Sequence, residues 1–300
     1  MTALACVFPG QGSQSLGMLA DLAAEHKSVL TCFEEASDAL NYNLWDLVQN
    51  GPVEKLNQTD ITQPALLTAS IAAYQVYIAT NDRQPRYLAG HSLGEYTALV
   101  AAGVLSLTDA VKLVELRGQF MQQAVPAGTG AMYAIIGLDD AQIIEVCNKV
   151  STDTGLVVSA VNFNSPGQVV IAGNSEAVEQ AGTELKAAGA KRALPLAVSV
   201  PSHCELMKPA AERLEDYLST IYFNTPEIEV VNNVDVAVCH SADEIKAALV
   251  RQLYKPVRWT ETVTFLASQG VEEVVEVGPG KVLAGLNKRI DKTLILSSFN

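Results

Sequence analysis

Short apolar runs that end in glycine turns recur along this chain and determine its predicted architecture. The runs Leu4–Phe8, Tyr87–Ala89 and Val271–Val277 are each followed by a glycine-containing turn and then by a helical pattern. Apolar runs of this length predict buried strands, and their alternation with helices predicts a parallel α/β sheet. In an open parallel sheet the turns gather at the carboxyl edge of the strands, where ligands bind.

The pattern changes between Pro126 and Pro201, where strand and helix segments alternate in a different order. This order, βαββαβ, is that of a ferredoxin-like unit, and the segment has a suitable length for one. We therefore predict a large discontinuous α/β domain over residues 1–126 and 199–300, with a ferredoxin-like small domain inserted at 127–198. The segments predicted inside the insert are strands at 131–136, 156–161, 168–172 and 191–196 and helices at 139–150 and 175–188.

Apolar residues at helical spacing predict further helices in the large domain. Ser106 or Thr108 is the expected N-cap of the helix that contains Arg117. A short strand is predicted near Glu229–Asn232. The predicted helices are Tyr42–Val48, Gln63–Thr80, Thr108–Gln123, Cys204–Ile221, 242–254 and 258–269.

Composition indicates a globular protein rather than a membrane or secreted one. The 300 residues are 49% hydrophobic and 18% charged, which allows a sizeable core. No basic stretch followed by an apolar core opens the chain, so we expect no signal peptide. The longest apolar-rich segment, Ala65–Ala79, is interrupted by polar residues and predicts a buried helix rather than a membrane span. A cytoplasmic location without membrane contact is the expectation.

The formal charge of −13 argues against nucleic acid as a partner, because phosphate binding needs a cationic face. A local basic patch can still bind an acidic protein, since salt screens charges beyond about 8 Å. Ordinary scattered surface charge is an equally acceptable interpretation of the same residues. The candidates for such a patch are Lys191, Arg192, Lys208, Lys255, Arg258, Lys281, Lys288 and Arg289.

Cysteine and histidine spacing predicts neither a disulfide framework nor a metal site. The chain has five cysteines without a Cys-x-x-Cys pair, and four histidines without ligand spacing. The turn at 278–281 lacks the features of a phosphate-binding loop, and no Gly-x-Gly-x-x-Gly occurs. We therefore expect no metal and no nucleotide cofactor.

Gly90-His91-Ser92-Leu93-Gly94 places a serine between two glycines where a strand gives way to a helix. This is the setting of a nucleophile elbow, in which a strained turn holds the serine hydroxyl clear of the sheet. The helix N-terminus that follows offers free N–H groups where an oxyanion would form. The five-residue pattern alone is weak, because glycine and serine are common residues.

Arg117 lies in the middle of the apolar face of its predicted helix, three or four residues from Leu113, Val114, Phe120 and Met121. A guanidinium does not lose its proton, so burial requires an anion or several acceptors. A structural ion pair or a backbone clamp is one interpretation. The other is a fork that binds a substrate carboxylate with two parallel hydrogen bonds and excludes acyl groups that lack one.

His203 is the best candidate for the base that activates Ser92, because His26 and His240 lie in polar stretches and His91 points to the other side of the elbow. A helix-capping role is the alternative. Cys204 is adjacent, but free cysteine is usually a small buried apolar group. No acidic residue stands out as a third triad member, so a backbone carbonyl could orient the imidazole.

Together with these residues, motifs along nearly the whole chain resemble the malonyl-CoA:acyl-carrier-protein transacylase family of bacterial fatty-acid synthesis. The resemblance implies a hydrolase-like α/β core with a ferredoxin-like insert. The matching blocks are Phe8-Pro9-Gly10-Gln11-Gly12-Ser13-Gln14, Gln63-Pro64-Ala65, Gly90-His91-Ser92-Leu93-Gly94-Glu95, Arg117, Val161-Asn162-Phe163-Asn164-Ser165-Pro166-Gly167-Gln168, Val200-Pro201-Ser202-His203 and Glu276-Val277-Gly278-Pro279-Gly280.

The resemblance implies a role for each matching position. Ser92 would carry the malonyl group, with His203 as base and then acid and Arg117 paired with the malonyl carboxylate. The backbone N–H groups of Gln11 and Leu93 would form the oxyanion hole. Gln252 would orient His203 through its main-chain carbonyl, which replaces the missing acid.

The same resemblance implies the substrates and partners. They are malonyl-CoA and the phosphopantetheine arm of holo acyl carrier protein, without a further cofactor, and the enzyme would be a monomer. Ser202 occupies a position linked to acyl choice in modular synthases, and no preference is inferred from it. The chain ends slightly earlier than the family pattern, which removes none of the named residues.

Two other functions remain open at the level of sequence. A serine hydrolase or thioesterase for acidic acyl groups would use the same serine, base and arginine. A carrier-protein scaffold with an inactive site is the non-enzymatic alternative. Transfer is favoured over both, because nucleophile, base and carboxylate clamp occur together and no distinctive triad acid is present.

Overall fold

The computed structural model describes residues 3–198 and 200–300 and has a mixed α/β fold with a parallel sheet, as the sequence predicted. The strands are β1 (Ala3–Phe8), β2 (Tyr87–Gly90), β3 (Gly130–Ile136), β4 (Val158–Ser165), β5 (Gln168–Asn174), β6 (Arg192–Pro195), β7 (Glu229–Val231), β8 (Val271–Val277) and β9 (Ile295–Phe299). The helices are α1 (Ala20–Glu25), α2 (Lys27–Leu40), α3 (Leu44–Asn50), α4 (Val53–Leu56), α5 (Thr59–Thr80), α6 (Leu93–Ala101), α7 (Leu107–Ala124), α8 (Asp140–Thr154), α9 (Ser175–Ala187), α10 (Lys208–Leu218), α11 (Ala242–Gln252), α12 (Trp259–Ser268) and α13 (Val282–Ile290).

The parallel sheet has the strand order β7-β2-β1-β8-β9 and places the predicted glycine turns at one edge. Phe8 pairs with Gly90 at the carboxyl ends of β1 and β2, and Val7 pairs with Glu276 near the end of β8. Its strands are apolar because core clusters cover both faces, one of them centred on α5, α6 and α7 and the other on α12 and α13. The turn after β2 carries Ser92.

A second, antiparallel sheet has the order β4-β5-β3-β6, and α8 and α9 pack on it through a separate apolar cluster. Backbone hydrogen bonding joins this antiparallel sheet to the rest of the chain: the Phe163 N–H donates to the Val257 carbonyl over 3.0 Å. These strands and helices fall inside the predicted insert at 127–198. The predicted limits at residues 1 and 199 lie outside the described residues, and the domain boundaries stay predictions.

Local sequence signals explain where the predicted elements differ from the structure. The predicted helix Cys204–Ile221 is instead a 3₁₀ turn at Glu205–Met207 followed by α10, which begins next to Pro209. Strand β9 was not predicted, because its serines break the apolar pattern, yet it pairs with β8 in parallel register. Ser106 rather than Thr108 caps α7, since its hydroxyl accepts from the Asp109 N–H.

Within the described residues, no helix is both long and apolar enough to cross a membrane. The apolar-rich segment predicted as a buried helix belongs to α5, which lies in the main core. The described part of the chain also contains no group of three or more metal-ligating side chains.

Candidate active site

Ser92 occupies a strained backbone turn between β2 and α6, with φ of 52° and ψ of −107°. The flanking glycines are required because the chain crosses itself closely there. A Cβ on Gly90 would lie 1.9 Å from the Gly94 carbonyl carbon, and one on Gly94 would lie 2.1 Å from the Phe8 oxygen. The two glycines therefore allow α6 to start against β1, which exposes the serine at the edge of the sheet.

Replacing Gly94 by alanine is expected to destabilise the protein by about 3 kcal/mol or more, because the added methyl group overlaps backbone that cannot move freely. Gly285→Ala is the matched control, since a Cβ at Gly285 in α13 meets no atom within 4 Å. That helical substitution should be neutral or stabilise by about 0.5–1 kcal/mol. Urea unfolding midpoints measure both changes, and equal midpoints for the two variants would contradict the crowding argument.

A chain of hydrogen bonds links Ser92 to His203 and to the backbone of α11. Ser92 Oγ lies 2.8 Å from His203 Nε2, and His203 Nδ1 lies 2.6 Å from the Gln252 carbonyl oxygen. A carbonyl only accepts, so Nδ1 carries the proton and Nε2 is the free acceptor for the serine hydroxyl. His203 therefore lies where a general base is needed, although it is 111 residues from Ser92 in the chain.

Burial and two neighbouring side chains keep the imidazole of His203 neutral. Burial is the largest cause, followed by the Arg117 charge and then by His91, and together they lower the pKa of His203 to about 3. The hydrogen bond to the Gln252 carbonyl opposes this shift. A neutral imidazole can accept the serine proton, and the nearby positive charge makes it a weak base until that charge is compensated.

Arg117 is fully buried on α7 and its guanidinium points at Ser92. Nη1 donates to Gln63 Oε1 over 2.7 Å, and Nη2 donates to Gln252 Oε1 over 3.0 Å and to Ser92 Oγ over 3.3 Å. Its Nε has no hydrogen-bond partner among the described residues. The Tyr96 ring lies beside it, with 5.2 Å from ring centroid to Cζ.

This arrangement separates the two interpretations of Arg117 that the sequence left open. Within residues 3–198 and 200–300, no carboxylate forms an ion pair with Arg117, and neutral amide oxygens accept its hydrogen bonds instead. A buried guanidinium with neutral partners retains most of its capacity to attract an anion. The arrangement therefore favours the substrate-carboxylate interpretation of Arg117 over a structural ion pair.

Sequence reasoning assigned no contact role to Asn233 or Glu95, yet both hold the elbow. The Asn233 side chain accepts from the Ser92 N–H over 2.8 Å and donates to the Gly90 carbonyl over 2.7 Å. Glu95 Oε2 accepts from the Asn233 N–H and from Gln252 Nε2. Glu95 follows directly in the elbow motif, whereas Asn233 lies in an unremarkable stretch after β7 that offers no sequence signal.

The N–H groups of Gln11 and Leu93 are free to donate, because neither bonds another residue in the described part of the chain. Leu93 is the first residue of α6, where helix N–H groups lack internal partners. A cavity of about 100 Å³ opens in front of Ser92, between the parallel and antiparallel sheets. Its walls are Gln11, Thr59, His91, Ser92, Met132, Asn162, Leu196, Val198, Val200, Ser202 and His203.

The structure does not favour His91 as the base or Cys204 as the nucleophile. His91 Nε2 lies 2.8 Å from Asn164 Oδ1, so the ring is held towards β4 rather than Ser92. Burial raises the pKa of the Cys204 thiol to about 12, and its Sγ donates to the Pro201 carbonyl. A protonated, buried thiol is a poor nucleophile.

Comparison with known proteins identifies the family to which this chain is similar. The family model described as "Acyl transferase domain" matches residues 5–293. The malonyl CoA-acyl carrier protein transacylase of Escherichia coli K12 is 63% identical over 300 residues, which cover 100% of this chain and 96% of that protein. The corresponding Bacillus subtilis protein is 46% identical over 294 residues, 98% of this chain and 92% of that protein.

Solved structures superimpose on this fold over almost the whole chain. An acyl carrier protein S-malonyltransferase from Vibrio cholerae superimposes with a TM-score of 0.97 and 62% identity, covering 100% of this chain and 97% of that one. A malonyl-transacylase solved in complex with a holo type II PKS acyl-carrier protein gives a TM-score of 0.96 and 61% identity, covering 99% of this chain and 95% of that one.

Proposed function

The chain belongs to the acyl transferase domain family, and on this premise we propose the route by which it transfers a malonyl group from malonyl-CoA to an acyl carrier protein. The proposed route is double displacement through a malonyl-Ser92 intermediate. One observation supports it above the others. The Ser92 hydroxyl lies within hydrogen-bond distance of both a neutral imidazole and a buried guanidinium without an ion-pair partner in the described residues.

In the first half-reaction the malonyl carboxylate binds Arg117 and the thioester carbonyl points at the N–H groups of Gln11 and Leu93. Ser92 Oγ attacks that carbon while His203 Nε2 takes the hydroxyl proton. The two N–H groups stabilise the charge that develops on oxygen. The C–S bond then breaks, and the proton on His203 passes to the CoA thiolate.

In the second half-reaction the phosphopantetheine thiol of the carrier protein gives its proton to His203 and attacks the malonyl ester. The oxyanion forms in the same position, the bond to Ser92 Oγ breaks, and the proton returns to the serine. The Gln252 carbonyl keeps the imidazole in the tautomer that both steps need. No further cofactor is required by this proposal.

The carboxylate of the substrate also strengthens the base in this scheme. The Arg117 charge helps to lower the pKa of His203, and a bound carboxylate compensates that charge. Acetyl-CoA brings no carboxylate to Arg117, so it does not raise the pKa of His203 in this way. Malonyl groups would therefore be favoured in the chemical step as well as in binding.

We further propose that residues 127–198 form a ferredoxin-like domain inserted into a hydrolase-like domain of residues 1–126 and 199–300. The order β4-β5-β3-β6 with two helices supports this, and Met132 and Asn162 place the small sheet against the cavity. Walls from both domains would limit access of water to the acyl-enzyme. The monomeric state and the cytoplasmic location stay predictions.

Intact-protein mass spectrometry tests the proposed route. After brief incubation with malonyl-CoA, the protein should gain one malonyl group, and added holo acyl carrier protein should remove it as malonyl carrier protein. Free malonate released at the same rate with and without carrier protein would indicate a hydrolase instead. Transfer without any acyl-enzyme at early times would contradict double displacement.

We propose that the carrier protein binds near the C-terminal end of α13, where Lys288 and Arg289 are exposed. Arg289 Nη1 donates to the neutral Gln168 amide oxygen over 2.7 Å, whereas two of the other candidates have ion-pair partners: Lys208 pairs with Glu205 and Arg258 with Glu261. Replacing both Lys288 and Arg289 by glutamate should slow transfer to the carrier about tenfold and leave loading from malonyl-CoA nearly unchanged.

The double variant Lys27→Glu/Lys112→Glu is the control, since it changes the net charge equally at exposed residues outside the candidate patch. Rates of loading and of discharge are measured separately by mass spectrometry. Equal slowing of both half-reactions, or equal slowing of discharge by the control, would refute this docking position.

A further inference from the structure

Glu95 is a buried carboxylate that the mechanism above does not use. It is 2% exposed and lies three residues after Ser92 on α6, with its side chain directed away from the reacting atoms. Oε2 accepts from the Asn233 N–H over 2.9 Å and from Gln252 Nε2 over 2.8 Å. Burying an ionised carboxylate is costly unless a positive charge compensates it.

A single side chain connects this carboxylate to Arg117. Gln252 Oε1 accepts from Arg117 Nη2 over 3.0 Å, while Gln252 Nε2 donates to Glu95. A guanidinium only donates, so the amide must present its oxygen to Arg117 and its N–H to Glu95. The amide dipole therefore lies between cation and carboxylate in the orientation that favours both charges.

We infer that Glu95 is the buried counter-charge of Arg117, acting through Gln252, and that it takes up a proton when the malonyl carboxylate binds Arg117. Glu95 would then be a positioning residue that links acyl-group selection to pH. This inference rests on the proposed function of Ser92 and Arg117. Before the substrate binds, Arg117 and Glu95 balance each other. A second carboxylate on Arg117 leaves one excess negative charge in a buried site, and protonation of Glu95 removes it.

The surroundings of Glu95 allow this proton uptake near neutral pH. Burial raises the pKa of Glu95 to about 7, and Asp235 also raises it. The Asn233 N–H, the Gln252 amide and Arg117 from α7 oppose this. The other titratable neighbours stay neutral in this range, because burial raises the pKa of the Tyr96 hydroxyl to about 12 and that of the Cys239 thiol above its usual range.

Malonyl binding should weaken as the pH rises through the pKa of Glu95. Carboxylate binding disfavours ionised Glu95 and so raises its pKa further. Malonyl affinity should then be constant below the pKa of the free site, near 7, and should fall as pH rises above it. His203 stays neutral in this window, because burial is the larger cause of its pKa of about 3 and remains after the carboxylate has compensated Arg117.

Equilibrium binding to Ser92→Ala protein tests the inference without turnover. Dissociation constants of malonyl-CoA and acetyl-CoA are measured by calorimetry at about pH 6.5 and pH 8.5. The ratio of the two constants cancels titration of the CoA phosphates, because both ligands carry the same CoA. We expect the preference for malonyl-CoA to fall about tenfold or more between the lower and the higher pH, with proton uptake detected by comparing buffers of different ionisation enthalpy.

The same measurements on Ser92→Ala/Glu95→Gln separate a charge effect from a purely structural role of Glu95. Glutamine keeps the size and an acceptor oxygen but does not titrate in this range, so the preference should become independent of pH and proton uptake should vanish. A pH dependence that persists in this variant would overturn the inference. If the variant does not fold, proton uptake by Ser92→Ala alone decides, and its absence refutes the inference.

Failure of the proposed function gives a different result. Wild-type protein that is not acylated by malonyl-CoA, or Ser92→Ala protein that binds both ligands equally at every pH, would remove the function on which this inference rests. A wild-type protein that loads malonyl normally, with a malonyl preference that does not change with pH in Ser92→Ala, would refute the role of Glu95 alone.

Discussion

Ser92→Ala is expected to abolish the malonyl adduct and to reduce malonyl transfer by about four orders of magnitude or more. The variant lacks the hydroxyl oxygen that lies 2.8 Å from the free imidazole nitrogen of His203. Loss of a nucleophile usually leaves only the residual rate that binding and oxyanion stabilisation support. The fold should persist, because the alanine methyl group occupies less space than the serine side chain and the N–H that bonds Asn233 remains.

Cys204→Ser provides the control for this experiment. Serine has a similar size and can keep the hydrogen bond to the Pro201 carbonyl. If the neighbouring thiol were the nucleophile, this variant would lose the adduct and Ser92→Ala would keep it. Mass spectrometry after brief incubation with malonyl-CoA distinguishes the two outcomes directly, and peptide mapping locates the acyl group.

Arg117→Ala is expected to slow malonyl loading by about a factor of a thousand, with a much smaller effect on acetyl loading. Two charge-assisted hydrogen bonds to the carboxylate are lost, at about 1.5–3 kcal/mol each. Acetyl-CoA makes no such bonds. Removal of the Arg117 charge also raises the pKa of His203, which strengthens the base for both donors.

The comparison of donors makes this prediction specific. Competition between malonyl-CoA and acetyl-CoA, read as the ratio of adduct masses, should shift towards acetyl in Arg117→Ala. Arg117→Lys keeps a charge but loses the planar fork, and should give an intermediate ratio. A ratio that stays at the wild-type value while both rates fall together would contradict a carboxylate clamp and would favour a structural role for Arg117.

Local signals in the sequence predicted much of the fold. The apolar runs became β1, β2 and β8, and the alternation in the middle of the chain became β3 to β6 with α8 and α9. The β9 strand was missed because Ser297 and Ser298 carry no strand signal and pairing with β8 stabilises it. The start of α10 was misplaced because the chain first forms a 3₁₀ turn at Glu205–Met207, and Pro209 lies in the first turn of the helix.

The candidate site was predictable where its signal is local and unpredictable where it is not. Gly90, Ser92 and Gly94 specify a turn within a few residues, and the helical period alone places Arg117 on a buried face. Asn233 lies 141 residues from Ser92, and the stretch around it does not differ from an ordinary loop. The neutral partners of Arg117 could not be predicted either, because the sequence indicates that Arg117 is buried but not which groups accept its hydrogen bonds.

The amino-acid sequence by itself determined the order of strands and helices, the strained elbow at Ser92 and the burial of Arg117, because periodicity, glycine freedom and charge act over one or a few turns of chain. Only the tertiary structure decided that Ser92, His203 and Gln252 meet, since segments up to 160 residues apart in the chain converge beside the turn that carries Ser92. The protonation states of His203 and Glu95 likewise depend on the tertiary structure. Desolvation and neighbouring charge set the pKa values of His203 and Glu95, and both quantities exist only once the chain has packed.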